Sequence, residues 1–149
     1  MFKTPLQVEA LPPNLWRLLS PLVWEDAEFG VLLFPVGLVT DLASIPRILR
    51  RHSAFDPGGP SRRAAVGHDD MYSSGKAAGR PITREQADRF LYVALLSEGV
   101  SRPVAWMFWA GVRSGGWLPW RDYRRAEAAA LMQKPVYDIK RSVVPRDIK

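Results

Sequence analysis

Apolar and polar positions change period along this chain, and each change marks an element. Leu22-Val23-Trp24-Glu25-Asp26 and Phe29-Gly30-Val31-Leu32-Leu33-Phe34 are short apolar runs separated by residues 26–28, which predicts a β-hairpin with a turn there. Pro35-Val36-Gly37 ends the second run, and Leu38-Val39 reads as a further short strand. Thr40-Asp41-Leu42-Ala43-Ser44-Ile45-Pro46 reads as a capped single turn, and Pro46 opens a short helix through Leu49-Arg50-Arg51. Asp56-Pro57-Gly58-Gly59-Pro60 is the strongest loop signal. From Ser61, a plausible N-cap, the spacing turns helical, with Ala64, Ala65, His68 and Tyr72 on one face. After breaks at Gly75, Gly79 and Pro81, Thr83-Arg84-Glu85-Gln86 forms a capping box. It opens a helix with Ala87, Phe90, Leu91, Ala94 and Leu95 at apolar spacing, ended by Gly99. Ser101-Arg102-Pro103 opens a third helix through Trp106, Phe108 and Val112, stopped at Ser114-Gly115-Gly116. Residues 121–133 read as a last helix, and residues 134–149 as an extended basic tail.

The expected fold class is therefore α+β. An N-terminal β-hairpin or small antiparallel sheet packs on a three- to four-helix core. Residues 1–133 are expected as one globular domain, and residues 134–149 as its tail. Trp106, Trp109, Trp117 and Trp120 are expected as core and as a lid over the helices.

Composition narrows the chemistry. A length of 149 residues suffices for a real core, and 47% apolar with 24% charged residues is ordinary for a soluble protein. Cysteine is absent, which excludes disulfides and thiolate catalysis. The only histidines are His52 and His68, so one chain cannot build a three-histidine zinc site. The first residues lack the apolar core of a signal peptide, and no run approaches the roughly 18 apolar residues of a membrane span. The net charge is +6, and the tail holds five basic residues against two acidic ones, half of that excess. The rest sits in short groups such as Arg62-Arg63 and Arg124-Arg125. Without a nucleic-acid reading motif, these groups read as solvated faces, phosphate attraction or an assembly contact and not as a nucleic-acid interface; a lipid or other anionic surface is a further expected partner.

One constellation stands out: His68-Asp69-Asp70-Met71-Tyr72 on one predicted helix and Asp88 on the next. Asp88 is in phase with Leu91, Tyr92 and Leu95, so it lies on an apolar stripe, where a carboxylate is costly unless paired. His68 and Tyr72, four residues apart on one face, are the nearest partners. A His–Asp pair of this kind is a general-base unit, with the second ring nitrogen acting on water. The same residues also suit a hydrogen-bonded network that pins two helices, and both readings stand. Asp69 sits about 100° around the helix, at the edge of that face. Asp41 reads first as a cap accepting from the amides of Ala43 and Ser44. His52, among arginines, reads as a surface residue. The order His52, His68-Asp69, Asp88 imitates that of metal phosphohydrolases, at intervals too short for their helical fold.

The stretches Ala64-Ala65-Val66-Gly67-His68-Asp69-Asp70-Met71-Tyr72, Gly79-Arg80-Pro81 and Ala87-Asp88-Arg89-Phe90 resemble the core of secreted phospholipases of the A-two type. They are closer still to the cysteine-free phospholipase domain of parvovirus capsid proteins. The resemblance implies that His68 activates water, Asp88 orients His68, Tyr72 supports Asp88, and Asp69 binds calcium. Those enzymes complete the calcium site with carbonyls of a Gly-rich loop well upstream of the histidine. Here Gly58-Gly59 is too near His68 to take that place, and Asp41 is a carboxylate that could contribute from another direction. Calcium takes six to eight oxygens, more than these two side chains supply.

A longer string, Pro35 and Gly37, Val39-Thr40-Asp41-Leu42-Ala43-Ser44-Ile45-Pro46-Arg47, then the His68 and Asp88 stretches, Val112-Arg113 and Gly115-Gly116, is similar to a small family of phage and prophage proteins of unknown function. It implies phage origin and a virion-associated (tail) or lysis-module role. Synthesis would be in the host cytoplasm, with later incorporation into the virion and other phage proteins docked by the basic tail. The His–Asp site would hydrolyse lipid or other esters, or the protein would be a non-catalytic assembly component. A hydrolase requires a cleft open at His68 with an imidazole nitrogen facing solvent, and both ring nitrogens buried and bonded to protein would exclude it.

Overall fold

The computed structural model describes residues 1–41 and 61–133. The turn and short helix expected beyond Asp41, His52, the 56–60 loop and the 134–149 tail all lie outside these residues.

The predicted hairpin is present as β3 (Leu22–Asp26) and β4 (Gly30–Phe34), paired antiparallel from Leu22↔Phe34 to Asp26↔Gly30. Alternation of period two turns Leu22, Trp24, Leu32 and Phe34 inward and leaves Val31 and Leu33 outside. Asp26 closes the turn by accepting from the Phe29 amide at 2.6 Å. A second antiparallel sheet was not expected in this form. It consists of β1 (Val8–Leu11), β2 (Leu15–Leu18) and β5 (Val39–Thr40), in the order β1-β2-β5. Pairing of Trp16 with Thr40 and Arg17 with Val39 fixes where β5 ends, and so where Asp41 begins.

Four helices follow. α1 (Ser61–Ser74) leads through a small hairpin, β6 (Lys76–Ala77) and β7 (Arg80–Pro81), into α2 (Arg84–Ser97). α3 (Arg102–Gly115) and α4 (Trp117–Gln133) complete the described chain. α1 packs on α2, and α2 on α3. The hairpin docks through an aromatic chain: Phe2 meets Trp24 at 4.9 Å between centroids, and Trp24 meets Phe90 of α2 at 5.2 Å, both edge-on. Gly67 lets α1 come this close. A β-carbon there would lie 2.6 Å from the Phe90 ring and 2.9 Å from Phe34, and all three residues are buried.

The capping box at Thr83 forms as predicted. The Thr83 hydroxyl accepts from the Gln86 amide at 3.2 Å, and the Gln86 side chain accepts from the Thr83 amide at 2.8 Å. Thr83→Ala is expected to lower stability by about 1 kcal/mol, read as a lower urea midpoint at unchanged slope. Two expectations are corrected. α4 begins at Trp117 and not at residue 121, because Pro119 falls in its first turn, where no intrahelical N–H bond is lost. Trp106 and Trp117 are 57% and 51% exposed, so they are not core, whereas Trp120 packs on the core edge-on to Tyr72, and the fully buried tryptophan is Trp24. Among the described residues no helix is long and apolar enough to cross a membrane.

Candidate functional site

Helical phase on α1 places His68 and Tyr72 side by side, with ring centroids 4.3 Å apart. Both face Asp88 of α2. The His68 Nε2 donates to Asp88 Oδ1 at 3.3 Å, and the Tyr72 hydroxyl donates to the same oxygen at 2.5 Å. Asp88 is completely buried, so an ionised carboxyl there needs strong compensation.

That compensation comes from two arginines on the other oxygen, which sequence reasoning missed. Arg113, at the end of α3, donates to Asp88 Oδ2 at 3.0 Å, and the Arg84 guanidinium lies 3.4 Å from it. Arg84 also donates to the carbonyls of Arg113 (3.0 Å) and Val112 (3.3 Å), tying the start of α2 to the end of α3. Its signal was available: Arg84 is four residues before Asp88 on one helix. Arg113 carried no spacing signal, because it comes from a separate helix.

These contacts set the charges. Burial pushes the Asp88 carboxyl up, but bonds from His68, Tyr72 and Arg113 outweigh it and hold the group below its ordinary value. Burial pushes the His68 imidazole down, against the pull of Asp88, so the ring is neutral at pH 7. Burial and Asp88 push the Tyr72 hydroxyl up, which keeps it a donor. With Asp88 ionised, Nε2 carries the ring proton and Nδ1 is the basic nitrogen. Arg113→Met is expected to cost about 1–3 kcal/mol and to raise the Asp88 pKa. Acid unfolding would then begin at higher pH, as followed by circular dichroism.

His68 itself is only 2% exposed, yet it lines a cavity of about 550 Å³. Among the described residues, three walls line that space. α1 supplies His68, Asp69, Tyr72 and Ser73; the ends of β2 and β5 supply Leu15, Val39, Thr40 and Asp41; the α3–α4 junction supplies small and apolar groups. The two expected metal ligands, Asp69 and Asp41, are thus brought to one cavity. Asp69 accepts a bond from the Thr40 hydroxyl. Tyr123, also on the wall, has its hydroxyl pushed up by burial and by the charges of Asp69 and Asp41.

Calcium was tested against this donor set. Two carboxylates and a hydroxyl already donating to one of them fall short of six to eight oxygens. Among the described residues no group of three or more acidic or histidine side chains converges as a metal site. The described residues alone therefore fall short of a calcium site.

No curated protein and no solved structure matches the chain. One family model does match, across residues 16–112, from β2 to the last turns of α3, and it takes in His68, Tyr72, Arg84 and Asp88 but ends one residue before Arg113. That match covers well over half of the sequence, so the chain belongs to the family described as protein of unknown function (DUF1353).

Proposed function

We propose that this protein is a hydrolase of lipid or other carboxylic esters, with His68 as general base. The observation that carries this reading is the position of the His68 ring, between a buried anionic carboxylate and the wall of a cavity of ligand size. Asp88 orients the ring and stabilises the imidazolium that forms when the ring takes a proton from water. The hydroxide so formed attacks the ester carbonyl. Collapse expels the alkoxide, which receives the proton from the imidazolium, and the neutral ring is restored. Tyr72 and Arg113 act as positioning residues on Asp88.

We place this activity in a phage or prophage setting, as a virion-associated or lysis-module protein made in the host cytoplasm. Support comes from the motif string around Asp41, His68 and Asp88, and the basic tail is then the segment assigned to docking on other phage proteins. Detection of the chain in purified virions, or its absence from them, separates the two placements. A second reading has its own support. His68 is 2% exposed and Asp88 has three donors and an ion pair to Arg84, as a network that only pins helices would require.

The deciding experiment measures turnover of p-nitrophenyl esters and of phospholipid vesicles by wild type and His68→Gln, with calcium and with chelator. Turnover by wild type that is lost in a folded His68→Gln variant supports the hydrolase. Absence of turnover in a folded wild type supports the helix-pinning network. Calcium-dependent turnover would return Asp69 and Asp41 to the role of ligands.

A further inference from the structure

We infer that the α3–α4 wall of the cavity receives the apolar acyl chain of the substrate, and that Gly115 at its rim sets how long that chain can be. This inference rests on the ester-hydrolase reading and names its substrate class.

The cavity is chemically two-sided. Its α1 wall carries His68, Asp69, Tyr72 and Ser73, whereas its α3–α4 wall carries Gly111, Val112, Gly115, Gly116 and Pro119. Leu15 and Val39 extend the apolar surface from the sheet side. A volume of about 550 Å³ lies within the roughly 300–1,000 Å³ of small-molecule sites. That space exceeds what a water and an acetyl group need at His68. Asp69 and Asp41 near Tyr123 make the polar side anionic, which disfavours a free carboxylate or phosphate there. An uncharged chain on the apolar wall, with its ester carbonyl toward His68, meets both conditions.

Gly115 and its neighbour differ in what the fold asks of them. A β-carbon on Gly116 would lie 2.3 Å from the Tyr72 hydroxyl and 2.5 Å from the Val112 carbonyl, so the packing requires glycine there. Among the described residues, a β-carbon on Gly115 would meet nothing within 4 Å. Gly115 is the last residue of α3 and does not have a positive φ, and glycine at a helical position is less stable than alanine. Local structure thus gives no reason for glycine at 115. What its missing side chain leaves is open space at the rim of the cavity that His68 also lines.

The test compares wild type, Gly115→Ala and Gly115→Leu on p-nitrophenyl acetate and p-nitrophenyl octanoate. Binding of decanamide, an uncharged amide with the same kind of chain, is measured beside it by calorimetry. Wild type is expected to prefer octanoate. Gly115→Leu should lower kcat/KM for octanoate by about tenfold or more, with acetate little changed and thermal stability equal or higher. Equal loss on both esters, or no loss on either, would overturn the inference. The binding arm separates this outcome from failure of the hydrolase itself. If no ester is turned over but decanamide binds wild type and binds Gly115→Leu about tenfold more weakly, the chain-binding wall stands and the catalytic reading falls. Absence of decanamide binding to folded wild type overturns the inference.

Discussion

Asp88→Ala is expected to be the most damaging single substitution at the site, lowering stability by about 3–5 kcal/mol at pH 7. The carboxylate is fully buried, accepts from three donors, His68 and Tyr72 on α1 and Arg113 on α3, and is ion-paired with Arg84 on α2. Its removal strands the Tyr72 hydroxyl and His68 Nε2 in the interior and leaves two cations facing one another near the former carboxylate. Unpaired buried donors carry the full desolvation penalty, which is why the cost exceeds that of one hydrogen bond. The check is a urea titration of both proteins. A midpoint within experimental error of wild type would show that the cluster adds little to the fold.

Acid stability provides a second reading of the same cluster. His68 has its pKa lowered from 6.5, so the unfolded chain binds its proton first. Stability therefore starts to fall as pH drops below 6.5 and continues to fall until the native ring protonates. Asp88 has its pKa lowered from 3.8. Its contribution is intact above that value and is lost as pH falls through the lower native value. Asp88→Ala removes the lower of these two windows.

The second large effect is catalytic. His68→Gln is expected to lower kcat/KM for ester hydrolysis by about 10²–10⁴-fold, the range supplied by a positioned general base. Glutamine keeps a polar group near Asp88 but cannot accept a proton from water at neutral pH. Some loss of stability, about 1–3 kcal/mol, accompanies the change at a buried position, so the far-ultraviolet spectrum at 25 °C is recorded alongside the rates. A folded variant with wild-type rates would remove His68 from the chemistry.

What could be read from the sequence follows the range of the interactions. The β3–β4 hairpin was legible because period-two burial and a polar turn are local. The Thr83–Gln86 box was legible because both bonds span three residues. His68, Tyr72 and Asp88 were found as a set because a charged residue on an apolar stripe demands a partner. Leu38-Val39 was legible as the strand that becomes β5, but β1, β2 and their pairing with it were not, because β5 joins β2 from some twenty residues away, through pairing that local propensity does not encode. Arg113 escaped for the same reason, reaching Asp88 from a third helix. Trp106 and Trp117 were misplaced because aromatic type gives no sign of which helix face will lack a covering element.

The most direct measurement is kcat/KM for p-nitrophenyl octanoate as a function of pH, for wild type and His68→Gln, across roughly pH 5–8, where imidazoles titrate. The account predicts a wild-type rate that rises to a plateau, with its acid midpoint below 6.5 as burial of His68 requires, and a variant lower by about 10²–10⁴-fold without that limb. Folded wild type with no turnover above the blank, or two superimposable profiles, would contradict it.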